Sequence, residues 1–277
     1  MEPSTCGRCG GLIERDASKC PRCGRVAPAL FGLRPLLLRV FPVDGDRTRP
    51  LLLGLVAVFL ATMLVSQRRG GLEGGSLLGA LSPDGETLFD FGMLVPVAWL
   101  QPIEPWRWLT YAFLHGGLLH ILFNASALNA LGNHVEHLLG SARMITLFVV
   151  SAIGGSLACT VFTPDSPVVG ASAALFGFNA ALIAYGYRRG GHAGADIRGT
   201  AWRWLIASFL MTMMIPNVSH AGHVGGAITG GLGAYVMKPR RAGERESDAA
   251  LLCGAISVLL IAASVIAAGY AALTRAP

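Results

Sequence analysis

Four polar residues stand inside stretches that otherwise read as membrane-spanning: His120 and Asn124 in HGGLLHILFN, Ser172 in VVGASAALFG, and His223 in SHAGHVGGAITG. An uncompensated polar group in hydrocarbon is costly, so such groups tend to face a protein interior or a water-filled cavity. Serine, histidine and asparagine are also what acyl transfer requires: a nucleophile, a base to take its proton, and N–H donors for an oxyanion. Taken singly they read more plainly, since a serine in GAS commonly packs helices and a helix-end histidine commonly sits at the interface. Four of them at one depth point to chemistry inside the bilayer.

Of 277 residues, 53% are hydrophobic and 14% charged, against about 25% charged in a soluble globular chain. Mean hydropathy is +0.55, and the composition is that of a membrane protein. The net charge of +6 does not imply nucleic-acid binding, because the arginines and lysines lie between apolar runs rather than along one face. The N-terminus is polar with no early apolar run, so no signal peptide is expected.

Seven runs can span a bilayer, at about 50–66, 113–131, 143–162, 168–187, 201–218, 220–237 and 250–272; a span needs roughly 20 predominantly apolar residues. The stretch 67–110, with Glu73, Asp84, Glu86, Asp90, Glu104 and several prolines, is a loop. Residues 1–27 form a small polar module, 28–49 a basic linker with a short interfacial segment at 33–43, 50–240 a six-helix core, and 241–277 a linker and seventh helix. Basic residues crowd the N-terminus and recur as Arg143, as Arg188, Arg189 and Arg198, and as Lys238, Arg240, Arg241 and Arg245. The positive-inside rule then puts the N-terminus in the cytoplasm and the C-terminus outside.

With that topology, spans two, four and six run inward, and His120, Asn124, Ser172 and His223 all fall near the outer face. His120 and Asn124 are four apart and share a helix face; His115, five before His120, is expected to point elsewhere. Pro164, Pro167 and Gly170 suit a loop turning into a helix at Ser172, whose hydroxyl would lie at the positive end of the dipole among unpaired N–H groups. No Asp or Glu lies in the outer part of these spans, which favours a serine–histidine dyad over a triad. Gly222, Gly226 and Gly230 form a small-residue ladder, with Ala173, Gly177, Ala180 and Ala184 as its partner face on span four. His223, spaced to Gly226, is preferred as base over His220, which is assigned to the interface. Cys159 and Cys253 read as small buried hydrophobes.

These motifs together resemble the rhomboid family of intramembrane serine proteases over roughly 50–240. PWRWLTYAFLHGGLLHILFN resembles the family's Trp-Arg loop and the His-x4-His-x3-Asn that follows, carried by Trp106, Arg107, His115, His120 and Asn124. Glu136 and Gly140 resemble its ExxxG, VVGASAALFG its GxSx segment with Gly170 and Ser172, and GHVGG its His-x-x-Gly with His223 and Gly226. The resemblance implies an all-α membrane protein with a rhomboid-like six-helix core, here followed by one C-terminal transmembrane helix and preceded by a small zinc ribbon. It implies Ser172 as nucleophile, His223 as base, His120 and Asn124 as oxyanion donors, no cofactor for catalysis, and transmembrane segments of other proteins as substrates. Ala173 departs from the glycine common after the serine, and Gly222 from the alanine common before the histidine.

Cys6-Gly-Arg-Cys9 and Cys20-Pro-Arg-Cys23 form CxxC-x10-CxxC. Two such knuckles supply four thiolates, a tetrahedral Zn²⁺ site, and in a reducing cytoplasm they read as a metal site rather than disulfides. The module is too small to build a sufficient core alone, so the metal should supply its stability. Expected partners are membrane lipid, transmembrane substrates and a cytoplasmic partner of the ribbon; the expected location is a bacterial inner or plasma membrane. Two competing readings are a rhomboid-like pseudoprotease that binds clients without cutting them, and a transporter. The first expects a missing Ser or His; the second expects ionisable groups spread through the membrane depth.

Overall fold

The computed structural model describes residues 4–14, 17–42, 45–70, 81–95, 104–237 and 246–275. Glu73, Lys238, Arg240, Arg241 and Arg245, used above for topology, lie outside them. At the N-terminus β1 (Ser4–Thr5) pairs antiparallel with β2 (Leu12–Ile13). Helices follow in the order α1 (Arg34–Val40), α2 (Thr48–Arg68), α3 (Gly85–Asp90), α4 (Arg107–Thr110), α5 (Leu118–Ala127), α6 (Asn133–Leu139), α7 (Ser141–Phe162), α8 (Ser172–Arg189), α9 (Gly191–Met213), α10 (His220–Val236) and α11 (Asp248–Arg275). One wide turn at Leu128–Gly132 joins α5 to α6.

Among the described residues, α2, α7 and α11 are long and apolar enough to cross a membrane. The pair Arg107–Phe113 and Leu118–Leu139, bent by 95°, makes a fourth span if counted as one. The remaining helices are shorter or interrupted by polar residues: α10 has 17 residues, and α8 and α9 carry Arg188, Arg189, Arg198 and Arg203. The chain is a multi-pass integral membrane protein.

Two spans differ most from their sequence boundaries. The second is broken, because Leu114–Gly117 leave the helical path and the helix restarts at Leu118. The fifth begins at Gly191 instead of 201, since Gly190, at φ +66°, turns the chain and a polar helical start extends the apolar part. It stops at Met213 ahead of Pro216 and of Asn217, which adopts φ +61°.

α7 is the centre of the bundle, with most of its length buried. α10 packs chiefly on α8 and α7, and glycine sets the closeness. A β-carbon on Gly226 would lie 2.1 Å from the Ala173 carbonyl oxygen, and one on Gly230 2.5 Å from the Gly177 α-carbon. Those two rungs of the ladder face α8 as expected. Gly222 does not: it faces Cys159 of α7, 3.0 Å away by the same measure. α7 contributes its own small-residue stripe, with Gly154 against Thr229 and Gly155 against Ala173.

α2 starts on a carboxylate. Glu136 accepts the backbone N–H of Arg47 (2.7 Å) and of Thr48 (2.9 Å) and the Thr48 hydroxyl (2.7 Å). The first N–H groups of a helix have no intrahelical partners, and an anion there is favoured by the dipole. Gly140, at φ +97°, makes the corner between α6 and α7. Glu136→Ala leaves a buried N-terminus uncapped and is expected to cost about 2–3 kcal/mol, read as a lowered thermal midpoint. Glu136→Gln, which keeps an acceptor oxygen, should recover part of it.

Candidate active site

Ser172 is the first residue of α8 and His223 lies in the first turn of α10. Their side chains meet: His223 Nε2 is 2.9 Å from Ser172 Oγ. Sequence spacing alone cannot bring together residues 51 apart; the α8–α10 contact through Gly226 does. The His223 ring stacks on Phe176 with centroids 4.2 Å apart and planes 11° from parallel. Its Nδ1 is buried and finds no hydrogen-bond partner among the described residues. Phe176 therefore orients the base where a carboxylate would in a triad. Sequence reasoning missed Phe176, although it lies one turn below Ser172 and so on the same face.

Gly170 carries the turn into α8. Its φ of +124° suits glycine, and a β-carbon there would sit 2.7 Å from His120 Nε2 and 3.9 Å from Ser172 Oγ. His120 and Ser172 thus flank the Gly170 α-carbon from two elements. The Gly170 N–H donates to the Tyr111 carbonyl at 2.9 Å, and the Tyr111 hydroxyl donates to the Ala152 carbonyl at 2.7 Å. Tyr111, also missed in the sequence, thereby ties the serine loop to α7.

His120 Nδ1 faces the N–H of Gly116 at 3.4 Å. That contact makes Nδ1 the acceptor and leaves the proton on Nε2, the nitrogen facing Gly170. Asn124 is buried, and its Nδ2 donates to the His120 carbonyl at 2.9 Å. One amide hydrogen is thereby spent within the helix and one remains. His115 is fully buried, and its ring meets that of His120 edge-on at 5.0 Å. The expectation that it points elsewhere fails because His115 lies within the helix break at Leu114–Gly117, where helical spacing does not apply. His220 is not simply interfacial either. Its ring packs 5.6 Å from Phe209 and 6.2 Å from His223, at the rim of the same cluster.

Two further motif residues build the loop in front. Trp106 offers its carbonyl to the Thr110 N–H at 2.9 Å and opens α4. Arg107 is buried; it pairs with Glu104 at 2.6 Å, donates to the carbonyls of Phe89 (2.7 Å) and Met93 (2.8 Å), and lies over the Phe89 ring. A buried charge needs such partners; Nε and Nη1 have them, while Nη2 finds none among the described residues. Ala173 fits: its β-carbon occupies the space beside Gly155 of α7. Cys159 is buried, 3.1 Å from the Ser219 hydroxyl, whereas Cys253 is exposed on α11. Its apolar surroundings in sequence are shared by a lipid-facing surface, so hydropathy does not distinguish the two.

At the N-terminus the four sulfurs of Cys6, Cys9, Cys20 and Cys23 lie within 4.8 Å of one another. Cys6 and Cys23 are 3.6 Å apart, Cys9 and Cys20 3.8 Å. A disulfide needs about 2.05 Å, whereas a tetrahedral metal with bonds of about 2.3 Å sets its sulfurs about 3.8 Å apart. The knuckles match each other: the N–H of Gly10 meets the Cys6 carbonyl and that of Gly24 the Cys20 carbonyl, each at 2.9 Å. Burial opposes ionisation of Cys6, but the N–H groups of Cys9 and Arg8 and the neighbouring thiols outweigh it and lower its pKa to about 6. This group can bind a metal ion.

The Rhomboid domain family model matches residues 102–240, the stretch that holds all four polar residues. The chain is 33% identical over 162 residues to "Rhomboid protease GluP" of Bacillus subtilis, covering 58% of this chain and 32% of that protein. It is 30% identical over 154 residues to "Rhomboid protease GlpG" of Yersinia pseudotuberculosis (52% and 55%). It is 31% identical over 142 residues to "Inactive RHOMBOID-like protein 8" of Arabidopsis thaliana (46% and 40%). The chain therefore spans about a third to a half of the length of these relatives. A family match over half the chain, on the helices that carry the serine and histidine, makes this protein a member of the rhomboid family.

Proposed function

We propose that this protein is an intramembrane serine protease working through a Ser172–His223 dyad. The observation that carries the reading is the 2.9 Å contact between Ser172 Oγ and His223 Nε2, with the histidine ring stacked on Phe176. Ser172 donates its proton to His223 as Oγ attacks a peptide carbonyl, and the protonated ring then gives it to the leaving amine. The resulting ester is hydrolysed by water activated by the same histidine. Negative charge on the carbonyl oxygen is met by the Nε2–H of His120, the remaining amide hydrogen of Asn124 and the first N–H groups of α8. Trp106, Arg107, His115, Glu136, Gly140, Gly170 and Gly226 position these groups.

Substrates are transmembrane segments of other proteins. Those with small or helix-breaking residues near the site should be preferred, because a peptide bond must leave its helix to reach Ser172. The basic residues support a cytoplasmic N-terminus, a site near the outer face and an outside C-terminus in a bacterial inner or plasma membrane. The division into ribbon (1–27), linker (28–49), core (50–240) and seventh helix with its linker (241–277) belongs to the same reading. Cys6, Cys9, Cys20 and Cys23 would hold a structural Zn²⁺; the ion supplies folding energy to the ribbon and takes no part in hydrolysis.

A fluorophosphonate probe tests the dyad. It should label Ser172 in the intact protein and lose at least about 10³-fold in rate in His223→Ala. Labelling at an unchanged rate in that variant would remove His223 as the base.

A further inference from the structure

The ribbon and the seventh helix are absent from the family match, yet they meet in the structure. Asp248 opens α11, is 5% exposed, and pairs with Arg25 of the ribbon at 2.6 Å and with the buried Arg34 of α1. Two residues earlier, Glu246 (1% exposed) pairs through its carboxylate with Arg143 at the start of α7. Its carbonyl accepts from Arg34 at 3.3 Å. Ribbon, α1, α7 and α11 are thereby gathered on two carboxylates; Arg34 and Asp248, far apart in sequence, are held together at low exposure, with the partly exposed Arg25 at the rim. Removing one partner from a buried ion pair is strongly destabilising, so this junction decides how the start of α11 sits.

The contact reaches the metal-binding knuckle itself. Gly7 lies between Cys6 and Cys9, and a β-carbon there would stand 2.5 Å from both carboxylate oxygens of Asp248. Its φ is not in the left-handed region, so glycine is required here for space. The Gly7 N–H is tied to the Pro28 carbonyl at 3.0 Å, which fixes the knuckle against the linker. The ribbon's own apolar core is Cys6, Ile13, Cys20 and Ala29; two of the four are sulfur ligands. Without a metal that core has little to hold the knuckle in shape. The far end of α11 lies beside the site-side loop: Ala268 is 3.5 Å from where a Gly92 β-carbon would be, and the Gly92 carbonyl accepts the Thr110 hydroxyl at 2.7 Å.

We propose that metal occupancy of the tetracysteine ribbon sets the seating of α11, with the loaded knuckle holding Gly7 and Arg25 against Asp248. This rests on reading the four cysteines as a metal site and assigns that site a regulatory task. When the metal leaves, the knuckle loosens and the first turns of α11 lose their anchor. Ribbon and seventh helix are then one device, a metal-dependent clamp on a helix that spans from the ribbon to the loop before Tyr111.

The test is hydrogen exchange on the full chain in detergent, with metal content measured on the same samples. The wild-type protein should hold one zinc per chain and Cys9→Ser/Cys20→Ser none. In that variant the amides of Ala250–Leu252 should exchange at least about tenfold faster, with those of α8 and α10 unchanged as the check that the core is folded. Gly7→Val should give the same acceleration while keeping its zinc, because it fills the space of the Asp248 carboxylate and leaves all four sulfurs. A wild-type chain without metal overturns the metal reading. Zinc present and lost on mutation, with Ala250–Leu252 exchange changed by less than about twofold, overturns the clamp alone. Zinc retained and protection unchanged in Gly7→Val also overturns it. Chelation of the wild-type protein gives the same comparison without any substitution.

Discussion

Ser172→Ala is expected to lower cleavage of a transmembrane test substrate by about 10⁴- to 10⁶-fold, leaving the thermal midpoint close to wild type. Only one oxygen is removed, and among the described residues the partner of that oxygen is His223. His223→Ala should cost nearly as much, because the hydroxyl is a poor nucleophile without a base. The pair acts as one unit, so Ser172→Ala/His223→Ala should be no slower than either single variant, a non-additivity that independent residues would not show. A carboxylate-dependent third step is absent from this scheme, since His223 Nδ1 has no partner among the described residues. Removing Phe176 instead should loosen the ring and cost less than removing the base. Cleavage of the substrate in detergent or liposomes, timed by gel, reads all four variants. Ser172→Ala retaining a tenth of the wild-type rate would end the proposal.

Much of this site is legible in the chain because the membrane makes polar residues conspicuous. Ser172, His223, His120 and Asn124 stand out against apolar neighbours, and the ladder at Gly226 and Gly230 announces which helix α10 must approach. What hydropathy cannot convey is where a helix breaks. The break at Leu114–Gly117 lies inside an otherwise apolar run, so His115 is misplaced by helical spacing and turns out to lie against His120. Lipid-facing and buried apolar residues are equally indistinct, which is why Cys253 faces outward while Cys159 does not. Phe176 and Tyr111 escape notice because nothing in an apolar side chain's identity says that it holds a base or a loop. The clamp at Asp248 depends on a contact between the two ends of the chain that no local pattern encodes.

Gly226→Val is expected to cut activity at least about 10²-fold while leaving every reacting atom in place. The β-carbon alone would stand 2.1 Å from the Ala173 carbonyl oxygen and 3.0 Å from its α-carbon, and both are backbone, which cannot rotate away. The two helices must separate, and a shift of about 1 Å at a site of this kind costs about 10²-fold. The displaced residues are the ones that matter: Ala173 follows the nucleophile, and Gly226 lies one turn below the base. Gly231→Ala is the control, because its β-carbon would meet Ala180 at 3.4 Å, an ordinary contact farther from the dyad. Gly231→Ala should keep near-normal rates, whereas Gly226→Val should lose both cleavage and fluorophosphonate labelling. Loss of labelling with α8 and α10 still protected from hydrogen exchange identifies a displaced dyad rather than an unfolded bundle. If Gly226→Val cleaves at the wild-type rate, the close α8–α10 approach is not what aligns Ser172 with His223.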